Sequence, residues 1–168
     1  NTLSYIKNLS TLRLNYKINK KMSLSAVASL SPSLPSLGSL STVMQRTDDV
    51  SANVGNADLK PYNTLSGRLQ FNYNAPKIFY ATATAGYSHS FNPIVYTYYY
   101  NPELNLFVNS PHNSDYYKTM YFNTKIGAKK LFEFLYISLT GNLRKQESKG
   151  IGFHHENLNF YSSVEVQA

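Results

Sequence analysis

The chain has 168 residues, enough for one domain of ordinary size, and no cysteine, which excludes a disulfide framework and any thiolate metal site. Charged residues make up 15%, against roughly 25% in typical soluble domains, while Tyr (15 copies) and Phe (9 copies) are abundant. The net charge of +7 is scattered over single Lys and Arg residues, which argues against a nucleic-acid-binding patch, and no apolar run reaches the ~18 residues of a membrane-crossing helix.

The dominant signal along the chain is alternation. Leu12, Leu14, Tyr16 and Ile18 interleave with Arg13, Asn15, Lys17 and Asn19, and a short turn follows at Asn19-Lys20-Lys21. Leu24, Ala26 and Ala28 alternate with Ser23, Ser25 and Ser29 in a second segment. A long link then covers residues 31–61. Leu65, Leu69, Phe71 and Tyr73 alternate with Ser66, Arg68, Gln70 and Asn72, and the turn at Asn74-Ala75-Pro76-Lys77 is short. Ala81, Ala83, Ala85 and Tyr87 alternate with Thr82, Thr84, Gly86 and Ser88 before a second long link, residues 92–115. Met120, Phe122 and Ile126 alternate with Tyr121, Asn123 and Lys125 up to the turn at Lys129-Lys130-Leu131. Leu135, Ile137, Leu139 and Leu143 alternate with Ser138, Thr140, Asn142 and Arg144. A brief link near residues 148–152 leads to Leu158, Phe160, Val164 and Val166, set between Asn159, Ser163, Glu165 and Gln167.

Strand side chains point alternately to opposite faces, so each segment has one apolar and one polar face. The reading is all-β: an antiparallel up-and-down meander of about seven strands, with almost no helix beyond a turn in the long links. Several segments approach the ~9–11 residues of a strand that crosses a bilayer at a tilt. The connections alternate short and long, as in outer-membrane barrels, whose short turns face the periplasm.

Aromatics crowd the strand ends. Tyr16, Tyr73, Phe79, Tyr80, Phe132 and Phe134 lie near the short turns, and Tyr5, Tyr62, Tyr87, Phe91, Tyr116, Tyr117 and Phe153 near the other ends, as two interfacial girdles would. Arg13, Lys17, Arg68, Lys125, Arg144 and Glu165 are expected to face a lumen. The apolar face is expected to meet outer-membrane lipid. Period alone leaves a soluble sandwich open, with the same apolar face buried.

The first long link holds the Ser- and Pro-rich run from Ser29 to Ser41, then Gly55-Asn56-Ala57-Asp58-Leu59-Lys60-Pro61. Gly55-Asn56 suggests a tight turn with positive φ, and Pro61 an extended entry into the next strand. This arrangement resembles the barrel of TonB-dependent receptors and the related outer membrane protein β-barrel family. The motif residues Gly55, Asn56, Leu59, Lys60 and Pro61 carry the likeness, and Tyr62 departs from it, since the family usually has Glu there. The resemblance implies a Gram-negative outer membrane, the TonB energy-transducing complex as partner, and an extracellular nutrient ligand such as a glycan, siderophore or peptide. Both chain ends read as cut through strands, so a single barrel segment, residues 1–168 of a larger barrel, is expected.

The second long link contains Tyr96, Tyr98, Tyr99 and Tyr100, whose flat faces and hydroxyls suit a ligand such as a sugar or peptide. A hairpin packing its own aromatics is the plainer alternative. His154-His155-Glu156 is a poor metal site, because adjacent strand residues point to opposite faces. No nucleophile elbow, phosphate loop or dinucleotide fingerprint is present, so neither an enzyme nor a cofactor is expected. Two other functions compete with uptake: a plug-less barrel acting as pore or adhesin, and a soluble all-β binding module.

Overall fold

The computed structural model describes residues 10–75, 79–131, 135–150 and 153–167. In chain order its elements are β1 (Ser10–Lys17), β2 (Met22–Ser33), α1 (Leu37–Leu40), β3 (Gln45–Arg46), β4 (Ser51–Asn53), β5 (Tyr62–Ala75), β6 (Phe79–Phe91), β7 (Ile94–Asn101), β8 (Leu106–Asn113), β9 (Tyr116–Leu131), β10 (Leu135–Gly150) and β11 (Phe153–Gln167). They form two sheets. Seven long strands make an antiparallel meander, β1-β2-β5-β6-β9-β10-β11, which we term the wall. The two long links meet in a second sheet of order β3-β4-β8-β7, with β4 parallel to β8.

The seven wall strands correspond to the seven alternating segments, and most run longer than the alternation alone implied. The first turn is closed by Asn19, whose Oδ1 accepts from the backbone of Lys21 (2.8 Å) and Met22 (2.9 Å). Pro76, Lys77, Phe132, Phe134, Tyr5 and Gly152 lie outside the described residues, as does the side chain of Phe153.

Register assigns each residue to a face. One continuous row reads Leu14, Ala26, Leu69, Ala85, Phe122, Leu143 and Phe160 from β1 to β11. The neighbouring row on the other face reads Arg13, Val27, Arg68, Gly86, Tyr121, Arg144 and Asn159. The apolar face is the bare one: Leu14 is 61% exposed, Leu69 48% and Phe160 73%. Ser90, Thr119 and Ser138 on the polar face are buried. A soluble sandwich would enclose the apolar face instead, and this sheet does the reverse.

The apolar band is also staggered. Leu30 on β2 shares a row with Leu65, His89, Lys118 and Glu147, yet on β10 the last apolar side chain is Leu143, four residues short of Glu147. That drop over four strand steps, about one residue per strand, is what tilted strands require to keep a band level in a membrane.

One expectation needs correction. Tyr80 and Tyr117 belong to the polar face, paired across from Gly127 and Ser148, and Tyr62 shares that face with Thr64. Among the described girdle candidates, Tyr16, Tyr73, Phe79, Tyr87, Phe91 and Tyr116 sit on the apolar face; Tyr73 and Phe79 pack with ring centroids 5.8 Å apart. Each long link contributes two strands to the second sheet, β3 and β4 from residues 31–61 and β7 and β8 from residues 92–115.

Candidate functional site

The second sheet has its own small apolar core. Ala52, Leu106 and Val108 are buried on one of its faces, and Leu59 of the motif is buried as well. The motif is the brace that joins the two links. Gly55 N donates to Ser41 O (2.8 Å) and Asn56 N to Ser39 O (2.7 Å), which pins the motif to the turn of α1. Asn56 Nδ2 donates to Pro111 O (3.2 Å) at the end of β8. Lys60 N donates to Asn113 Oδ1 (2.9 Å), and Asn113 Nδ2 donates back to Lys60 O (3.0 Å) and to Asn92 O (2.8 Å).

Neither Gly55 nor Asn56 has positive φ; among the described non-glycine residues only Asn92 (53°) and Asn105 (52°) do. Gly55 is required for a different reason. A Cβ there would sit 2.3 Å from Ser41 O and 2.7 Å from Ser39 O, so only glycine lets the two backbone segments approach. Asn56 instead forms a side-chain turn, its Oδ1 accepting from Asp58 N at 2.9 Å. Pro61 precedes the first wall residue of β5, Tyr62, as anticipated.

The tyrosines lie on β7, an edge strand. Tyr96, Tyr98 and Tyr100 alternate onto one face and Tyr99 onto the other. Tyr100 behaves as the self-packing alternative proposed, with its ring 5.3 Å from Phe107 and its hydroxyl donating to Asn105 Oδ1 (2.5 Å). Tyr96 and Tyr98 stay open, at 60% and 66% exposure. Alternation across the sheet brings Gln45, Asn53, Asn109 and Tyr98 into one row. Asn109 Nδ2 donates to Asn53 Oδ1 (3.1 Å) within it. Nothing in the local sequence flagged these amides, because their alignment depends on pairing β4 with β8 across the chain.

The wall adds two further features at this end. On the apolar face, above the last apolar side chains, a charged rim appears: Lys145 to Glu156 (2.5 Å), Lys118 to Glu147 (3.9 Å) and Lys149 to Asp115 (4.0 Å). Tyr116 donates to Glu147 Oε1 (2.7 Å), and Lys118 Nζ lies 4.2 Å from the centre of its ring. On the polar face Arg13, Arg68 and Arg144 share a row with Tyr121, and Lys17 shares one with Lys125, as the alternation predicted; Glu165 pairs across from Ser138. Tyr121 lies flat over Gly86, and Tyr80 over Gly127, each ring filling the place a Cβ would occupy. His154 and His155 take opposite faces of β11, opposite Lys149 and Ser148.

The model of the outer membrane protein beta-barrel family matches residues 1–167. In fold the chain is similar to the siderophore receptor PirA from Pseudomonas aeruginosa, with a TM-score of 0.68, 12% identity, and coverage of 94% of this chain and 35% of that one. It is also similar to the siderophore receptor PirA from Acinetobacter baumannii, with a TM-score of 0.53, 11% identity, and coverage of 94% and 34%. The chain thus spans about a third of the length of these receptors. No curated protein matches it.

Proposed function

Because the chain belongs to the outer membrane protein beta-barrel family, we propose that it is part of a receptor that takes up a nutrient across the outer membrane with energy from the TonB complex. The chain itself is β-barrel wall of a Gram-negative outer membrane. The observation that carries the uptake reading is the joining of the two long links into one structured sheet at one end of the wall. A passive pore needs no such sheet, whereas a receptor needs a shaped surface that holds its ligand before the lumen takes it.

In this reading the motif Gly55, Asn56, Leu59, Lys60 and Pro61 holds the surface together, and Tyr96, Tyr98, Tyr99 and Tyr100 present it. The row of Arg13, Arg68, Tyr121 and Arg144 lines the path beneath. The strands that complete the barrel lie outside this chain. The test is accumulation of a labelled nutrient by cells producing the full-length parent protein. Accumulation that stops when the proton gradient is collapsed supports the reading. Entry that continues unchanged under an uncoupler would replace it with a plug-less pore.

A further inference from the structure

The row of amides borders a cleft of about 330 Å³ between α1, the Gly55 turn and β7. We propose that this cleft is a binding site for a neutral saccharide. The proposal deepens the receptor reading and rests on it. No Lys, Arg, Asp or Glu lines the cleft; its polar lining is Ser36, Ser39, Gln45, Asn53, Tyr96 and Asn109. Three of these form a chain of hydroxyls: Ser36 Oγ and Ser39 Oγ are 2.7 Å apart, and Ser39 Oγ and Tyr96 Oη are 3.2 Å apart. A hydroxyl gives and accepts, so the chain can reorient to match either sense of a sugar hydroxyl.

The opposite side is carboxamide. Asn53 is satisfied on both atoms, by Thr47 and by Asn109. Asn109 Oδ1 is shielded from solvent and has no hydrogen-bond partner. A shielded unpaired acceptor costs about 1–3 kcal/mol, and a small shift that admits a hydroxyl donor relieves it. Tyr96, 60% exposed, supplies a flat apolar face for a pyranose ring to stack upon. An anion would find no counter-charge here. A peptide would find only Val54 and Pro111 as apolar lining for its side chains.

The experiment uses the full-length parent protein in detergent. It is applied to an array of neutral oligosaccharides, acidic oligosaccharides and peptides, and the best ligand is then titrated by calorimetry. Neutral oligosaccharides are the expected class. Gln45→Ala and Tyr96→Ala are each expected to weaken binding about tenfold, the loss of roughly one hydrogen bond or one stacking contact. Resistance of the second sheet to trypsin checks that both variants keep the fold. Retention of acidic saccharides or peptides alone overturns the proposal, as does neutral binding that both variants leave unchanged. Binding in detergent needs no energy source. A cleft that binds sugar while cells show no energised uptake therefore keeps the site and removes the receptor reading. Energised uptake of another ligand does the converse.

Discussion

The wall and the second sheet are built from the same chain by the same period-two rule, yet they treat apolar residues in opposite ways. In the wall Leu12, Leu69, Phe122 and Phe160 of the apolar face are exposed, while Ser90, Thr119 and Ser138 of the polar face are buried. In the second sheet Ala52, Leu106 and Val108 are buried, while Tyr96 and Tyr98 face outward. The difference shows that alternation fixes the existence of two faces but not which one is inside. The wall relies on lipid to cover its apolar face, so its integrity depends on the bilayer. The second sheet stands in water and must bury its own core.

The strongest break of this contrast is Leu106→Ala. Removing a fully buried side chain is expected to cost about 2–5 kcal/mol. Trypsin should then cut at Arg46 or Lys60, while the wall keeps its heat-modifiable mobility on a gel. Equal loss in both regions would mean that they unfold as one unit. Next in size, Phe122→Arg places a charge in the middle of the apolar band, at a cost of about 2–4 kcal/mol in urea unfolding from lipid vesicles. Asn123→Arg, one residue on and facing the lumen, should cost far less. Similar losses for the two would erase the assignment of faces.

Gly55→Ala forces a methyl against three backbone carbonyls, those of Gly38, Ser39 and Ser41, and about 1–3 kcal/mol of strain is expected. Hydrogen exchange should rise in residues 37–60 and 106–113 together, with the wall unchanged. The smallest effect belongs to the rim. Lys145 and Glu156 are half-exposed, so Lys145→Ala should shift the urea midpoint less than any of the other variants, and added salt should shrink the shift further.

How much of this was readable from sequence follows from how local each signal is. The seven wall strands were legible because Leu12 to Ile18 alternate without interruption, and Leu65 to Tyr73 and Leu158 to Val166 do so with a single break each, at Gly67 and at Tyr161-Ser162. The faces of Tyr80 and Tyr117 were misjudged because closeness to a turn does not fix parity, whereas register does. The rim at Lys145 and Glu147 lay beyond the last clean alternation, where β10 continues as a strand after its apolar side chains end. The second sheet was hidden for another reason. Tyr98-Tyr99-Tyr100 has no alternation, β3 is two residues long, and the pairing of Ala52 with Val108 joins segments that only the folded wall brings together. The motif was recognised, but its glycine was explained by a turn when the cause is crowding by carbonyls.

The parallel pairing of β4 with β8 imposes an order of assembly. Parallel neighbours need a crossover, and here the crossover runs through the β5–β6 hairpin, which must itself traverse the membrane, and then through β7. The β3–β4 and β7–β8 pairs are local to their links, but the four-stranded sheet cannot be completed from either link alone. The two local pairs meet only after the hairpin between them has been inserted, so the joint between β4 and β8 forms later than the wall strands β5 and β6.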